Sequence, residues 1–206
     1  MKLTKFEQSG FIFETNNGFR LGIDIASRTP MESLEGLKVD AMIVSHLHQD
    51  HFSISHINKL SPVRVYLSNE CISLIGEEKV NGEVVAIASG SDAMIDNIKV
   101  KIFDVDHGPN PKLVPKENFG FIFTIDGETI YFAGDMFYPS GVDVSNLEVD
   151  YALLPVGEFY TFGPQEALDF AKKFKKIGKI IAMHDRGVPE ATAQFLKLAE
   201  GVFNAQ

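Results

Sequence analysis

The segment His46-Leu47-His48-Gln49-Asp50-His51 places three imidazoles and a carboxylate within six residues. These are the donor types that bind zinc and other first-row divalent cations. His46 and His48 are two apart, so on an extended chain both rings point to one side and can take a single ion. Asp50 and His51 follow where the chain has begun to turn, within reach of a second ion nearby. Taken singly, each residue has a plainer role, Asp50 as a helix cap and any one histidine as a hydrogen-bonded polar group at a strand end. Together they would leave several imidazoles crowded at one strand terminus with no structural reason for their presence, which favours metal binding.

Two ions about 3.5–4 Å apart need further ligands and a bridging carboxylate. His107 in Asp106-His107-Gly108-Pro109, Asp135 in Ala133-Gly134-Asp135, and His184 each lie just past a strand-like segment, where loops at a sheet edge can converge. Of the six histidines only His56 is then left over, and it reads as structural or solvent-facing. Asp24, at a strand end, and Ser45, beside His46, can hold imidazoles in place from behind.

The elements that must position these groups follow from pattern. Ala41 to Val44 is an apolar run of strand length leading into the histidine cluster. Before it, Phe11 to Thr15 and Phe19 to Ile25 read as strands joined at Asn16-Asn17-Gly18. After it, Ser53 caps a short helix with apolar Ile54, Ile57 and Leu60, ended by Pro62. A strand Val63 to Leu67 and a helix Asn69 to Ile75 follow. The centre reads as mostly antiparallel sheet: Val84 to Ala88, Met94-Ile95, Lys99 to Val105, Phe119 to Ile125 and Thr129 to Ala133, with turns at Asp96-Asn97 and Asp126-Gly127. The last third alternates strand Tyr151 to Leu154, a helix from Pro164, strand Ile180 to Met183 and a helix from Pro189. In the helix from Pro164, Ala167, Phe170, Ala171, Phe174 and Ile177 form the apolar face, while Lys172, Lys173, Lys175 and Lys176 form a solvated face near the negative helix terminus.

The H-x-H-x-D-H segment, His107, Gly134-Asp135 and His184 together resemble the metallo-β-lactamase superfamily, over nearly the whole chain. The resemblance implies an α/β fold of α+β type, a four-layer αββα sandwich. Leu154-Pro155-Val156-Gly157, Tyr160-Thr161 and Pro164 to Ala167 resemble the branch of small metal-dependent hydrolases related to ascorbate 6-phosphate lactonase. Carried over by position, the resemblance puts His46, His48 and His107 on one metal and Asp50, His51 and His184 on a second, with Asp135 bridging. Two departures stand out: Gln8-Ser9 where many relatives carry a histidine, and Met136 where threonine is common. The implied activity is hydrolysis of a small ester, lactone or phosphoester by a metal-bridging hydroxide, with Asp50 orienting that hydroxide or accepting its proton and Asp135 shared between the ions. Zinc is the expected metal, with manganese, nickel and iron compatible with the same donors. RNase Z-like phosphodiesterases share the ligand pattern, and iron redox or metal-holding proteins use related ones. His48 disfavours the iron redox type, in which glutamate replaces the second histidine.

Composition narrows the field. A chain of 206 residues with 45% hydrophobic and 23% charged residues is expected to form a single folded domain over residues 1–206. Nineteen basic against 28 acidic residues give a net charge of −9, which disfavours nucleic acid as a partner. Cys71 is the only cysteine, so a thiolate-rich zinc site and an internal disulfide are both excluded. No apolar leader or membrane-length run is visible, so a cytoplasmic location and no membrane partner are expected. A small-molecule substrate is expected, and oligomeric state stays open. Lys112, Lys116 and Arg186 can supply cations to a substrate phosphate or carboxylate, and Tyr160 with Phe159 and Phe162 can wall the pocket.

Overall fold

The computed structural model describes residues 1–77, 79–109, 114–185 and 189–206. The chain divides into two compact units, Met1–Ser89 with Pro115–Glu117, and Gly90–Val114 with Asn118–Gln206.

The first unit is a six-stranded sheet in sequential order, comprising β1 (Lys2–Lys5), β2 (Phe11–Glu14), β3 (Arg20–Ile23), β4 (Ala41–Ile43), β5 (Arg64–Ser68) and β6 (Glu83–Ile87), with helices α1 (Ile54–Leu60) and α2 (Asn69–Ser73). β1 to β3 pair antiparallel, and β3 to β6 pair parallel. β1 was not anticipated: Lys-Leu-Thr-Lys is too polar to read as a strand, and pairing with β2 at the sheet edge makes it one. Met42, Val65 and Leu67 from the parallel strands and Val44 just past β4 pack with Ile54, Ile57 and Leu60 of α1 and with Cys71 of α2. Burial of that kind contributes roughly 1.5–3 kcal/mol for each large side chain.

Ser53 occupies the N-cap position of α1, but it makes no side-chain cap bond there. Its hydroxyl instead meets His56 Nδ1 at 2.8 Å, and His56 Nε2 meets the Thr29 carbonyl at 2.9 Å. A buried imidazole needs both partners, and this demand outcompetes the cap. His56 is 6% exposed and is a structural group, one of the two roles open to it from sequence.

The second unit is a sheet in the order β12-β11-β10-β9-β8-β7. Its strands are β7 (Asp92–Ile95), β8 (Ile98–Asp104), β9 (Phe119–Ile125), β10 (Glu128–Phe132), β11 (Glu148–Pro155) and β12 (Lys176–Met183), accompanied by α3 (Pro164–Ala171) and α4 (Pro189–Ala199). β7 to β10 form the antiparallel centre, and β10 to β12 are parallel. Asp96, Asp126 and Gly127 take positive φ at the two hairpin turns, as their residue types predict.

α3 stops at Ala171, short of the apolar face expected to continue through Phe174 and Ile177. Phe174 packs on the same aromatic core from outside the helix, its ring 5.1 Å from Tyr131 and 5.5 Å from Phe170. Ile177 belongs to β12, opposite Val149. The lysines therefore do not form one helix face, and Lys175 pairs with Glu148 at 2.7 Å. Tyr131 is fully buried beside Phe103, and burial holds its phenol well above its ordinary pKa. Among the described residues, no helix is long and apolar enough to cross a membrane.

Candidate functional site

In the first unit the site begins where parallel neighbours β3 and β4 end side by side, Ile23 opposite Ile43. Asp24 turns off β3 with φ 45, a left-handed conformation that costs a non-glycine residue about 1–3 kcal/mol. Its fully buried carboxylate accepts the Ser45 N–H at 2.8 Å and the Ser45 hydroxyl, and meets His51 Nδ1 at 2.8 Å. The Ser45 hydroxyl also meets His46 Nδ1 at 2.9 Å. After β4 the chain winds tightly, with His51 N–H and Phe52 N–H both donating to the His48 carbonyl. His46 Nε2 then stands 2.9 Å from His48 Nδ1, as their two-residue spacing predicts.

These partners assign the ring nitrogens. A carboxylate can only accept, so the contact with Asp24 makes His51 Nδ1 the protonated nitrogen and leaves Nε2 as a donor atom. Ser45 engages Nδ1 of His46, which leaves Nε2 facing His48. Asp50 Oδ2 lies 3.8 Å from His51 Nε2 and accepts the Gln8 amide at 3.1 Å. Gln8 is buried and takes φ 56. Its place at the site was missed from sequence, where it was noted only as standing in for a histidine.

In the second unit, three residues gather after three strands. His107 follows β8, Asp135 follows β10 and His184 follows β12. Asp135 Oδ2 is 3.0 Å from His184 Nε2 and 3.5 Å from His107 Nε2, so one oxygen lies close to both imidazoles. All three residues are at most 6% exposed. Gly134 makes the approach: at φ 61 it turns the chain off β10, and a β-carbon there would stand 2.4 Å from the Phe119 carbonyl oxygen. Asn118, also missed from sequence, donates its amide to the carbonyls of Asp135 and Val105 at 3.0 and 3.1 Å. An amide side chain immediately before the apolar run that begins at Phe119 was the available signal.

Each unit therefore collects its own share of the expected donors: His46, His48, Asp50 and His51 in the first, and His107, Asp135 and His184 in the second. Asp24 and Ser45 stand behind the first set. Tyr160 is 43% exposed in the turn before α3, beside Phe159. Lys112 and Arg186 lie outside the described residues, and Lys116 is a surface residue whose N–H donates to Glu70.

The donors suit a divalent metal. A tetrahedral ion with metal–nitrogen bonds of about 2.0–2.1 Å keeps its ligand atoms about 3.3 Å apart. The separations of 2.9, 3.0 and 3.5 Å within the two sets lie around that value. A buried group of nitrogens and carboxylate oxygens with backing hydrogen bonds is also the environment that orients metal-binding histidines.

The family model described as a β-lactamase superfamily domain matches residues 2–184. A UPF0173 metal-dependent hydrolase of Pelotomaculum thermopropionicum is 28% identical over 224 residues, covering 100% of this chain and 95% of that protein. A second UPF0173 metal-dependent hydrolase, from Bacillus mycoides, is 29% identical over 205 residues, covering 92% and 87%. Among solved structures, a metallo hydrolase from the hyperthermophilic archaeon Ignicoccus hospitalis aligns with a TM-score of 0.77 at 23% identity, covering 99% of this chain and 93% of that one.

Proposed function

The chain belongs to the β-lactamase superfamily domain family, and on that premise we propose that it is a dinuclear metal-dependent hydrolase of a small ester, lactone or phosphoester. Its two mixed sheets flanked by few helices are the metallo-β-lactamase fold, an α/β architecture. The full-length likeness to proteins named metal-dependent hydrolases supports the reaction class. The observation that carries the dinuclear reading is the shared position of Asp135 Oδ2, 3.0 Å from His184 Nε2 and 3.5 Å from His107 Nε2. An oxygen so placed is suited to serve two ions at once.

In this reading His46, His48 and His107 hold one ion, Asp50, His51 and His184 hold the other, and Asp135 is common to both. Zinc is the proposed metal, because an imidazole-rich, thiolate-free set with carboxylates suits it, although manganese, nickel and iron accept the same donors. When bound, such a pair supplies nucleophilic water near neutral pH and polarises the scissile carbonyl or phosphoryl oxygen. The protein's own groups do the rest. Asp24 fixes the His51 tautomer with Nε2 available, and Ser45 does the same for His46. Gln8 orients Asp50, whose carboxylate receives the proton of the attacking water. Asn118 anchors the backbone of Asp135.

Metal analysis of the protein, together with an ester, lactone and phosphodiester panel, tests the reading. Asp135→Asn is expected to lose at least one metal per chain and at least ~100-fold in turnover. Retention of both metals and of full turnover in this variant would defeat it.

A further inference from the structure

The second unit contains a cavity of about 500 Å³ beside α3 whose walls are aromatic. Phe137, Phe162 and Phe170 line it, and Phe159 stands at its rim, 77% exposed. None of the donors lines the cavity, but short covalent and hydrogen-bonded links join its wall to the loops that carry two of them. Phe137 is two residues beyond Asp135, and its N–H donates to the carbonyl of Asp106, the neighbour of His107, at 2.7 Å. Its ring packs on Gly108, where a β-carbon would come within 2.9 Å of Phe137 Cγ. The Phe162 N–H donates to the Met136 carbonyl at 2.8 Å. A group seated among these rings would therefore lie next to the loops that carry His107 and Asp135.

The rim is built under strain. Glu158 and Phe159 both take left-handed conformations, φ 56 and 57, although neither is glycine. The turn is closed by Glu158 N–H to the Phe162 carbonyl at 3.1 Å. Consecutive non-glycine residues in this region are disfavoured, and such conformations concentrate at ligand-contacting turns.

Among the described residues, the charges at the cavity are mostly negative. A β-carbon at Gly163 would meet Glu166 Oε2 at 2.7 Å and Glu158 Oε1 at 3.4 Å, so both carboxylates converge over one point of the wall. Lys173 is the only basic side chain lining the cavity among the described residues, and Asp169, also lining it, pairs with Lys172 at 3.2 Å. A phosphate or carboxylate placed here would face two carboxylates across an aromatic wall, whereas an apolar or cationic group would be accepted.

We propose that this cavity binds the non-reacting part of the substrate, and that this part is hydrophobic, of aryl size and without negative charge. The proposal rests on the hydrolase reading for its reaction but not for its binding. It narrows the substrates to neutral or cationic esters and lactones, at the expense of phosphorylated ones.

Three methyl esters with the same scissile bond test it: methyl acetate, methyl 3-phenylpropionate and monomethyl succinate. The phenylpropionate is expected to exceed the succinate at least ~10-fold in kcat/KM. Phe159→Ala should reduce the ratio of phenylpropionate to acetate kcat/KM severalfold, chiefly through KM. Glu158→Gln with Glu166→Gln should narrow the gap between the phenylpropionate and succinate esters. Saturation-transfer NMR with 3-phenylpropanol, 3-phenylpropylamine and phenyl phosphate reads the cavity without turnover. If no ester, lactone or phosphodiester is hydrolysed, yet the alcohol and amine bind in preference to phenyl phosphate and lose affinity in Phe159→Ala, the hydrolase reading fails and the cavity assignment stands. Equal binding of phenyl phosphate, or affinity and ester ratios indifferent to Phe159→Ala, would overturn the cavity assignment whether or not esters turn over.

Discussion

Asp24 shows how much a buried carboxylate at this site does without being proposed as a metal ligand. It is fully buried and receives two hydrogen bonds from Ser45 as well as the His51 Nδ1 contact. Asp24→Asn keeps the shape and can still accept from Ser45 N–H, but its amide nitrogen would face His51 Nδ1. The ring would then turn Nδ1 into an acceptor and place its proton on Nε2, the nitrogen a metal would need. The expected outcome is metal affinity weaker by about 10–100-fold at the site served by His51, with the fold preserved. Titration of metal into the chelated protein, with circular dichroism as the control for folding, checks it. Unchanged affinity would mean that the tautomer argument is wrong.

At the scale of elements, the helix α1 contains the one histidine that no metal argument uses. His56 links Ser53 to the Thr29 carbonyl and so ties α1 to the loop that follows β3. His56→Ala leaves that buried carbonyl without its donor and is expected to cost about 1–3 kcal/mol of stability while metal content stays at the wild-type level. Denaturant unfolding alongside metal analysis reads the two quantities separately, and lost metal with unchanged stability would reverse the assignment. The same elements show what was legible in sequence. His46 and His48 were readable because the run Ala41 to Val44 fixes a strand and strand geometry fixes the side of each ring. Gln8 was not, since its bond to Asp50 joins residues 42 apart, and the left-handed position of its turn is taken by Gln8 itself rather than by Gly10 two residues on. Asp24 and His184 also take positive φ at strand ends, so their direction depends on tertiary contacts rather than local pattern. The end of α3 was misjudged for a related reason: Phe174 keeps helical spacing with Phe170, but the chain must leave the helix to enter β12. The aromatic residues around Glu158 to Phe162 divide between core and cavity rim, a distinction that their types alone do not contain.

Across the whole molecule, the donors come from loops far apart in sequence, so bound metal should stabilise the native state against the unfolded chain, in which the donors are dispersed. Ligand binding to the native form alone contributes about 2.7 kcal/mol at a free metal concentration 100 times its Kd. For a chain of this size, chelation should therefore lower Tm by several degrees, on the order of 5–10 °C. Cys71 offers an internal reporter. Its thiol is fully buried in the first unit's core, and burial pushes its pKa up to about 12 from an ordinary 9.0. At pH 8 the native thiol stays protonated and inaccessible, so a thiol reagent reacts only when the core opens. Stability linked to this group is complete below the unfolded thiol's pKa and declines as pH rises from about 9 towards 12, so pH 8 keeps the measurement clear of that linkage. Labelling of Cys71 at pH 8 should accelerate after chelation and return to its slow rate when zinc is restored. An identical labelling rate with and without metal would show that the donors do not couple metal binding to opening of the first unit's core.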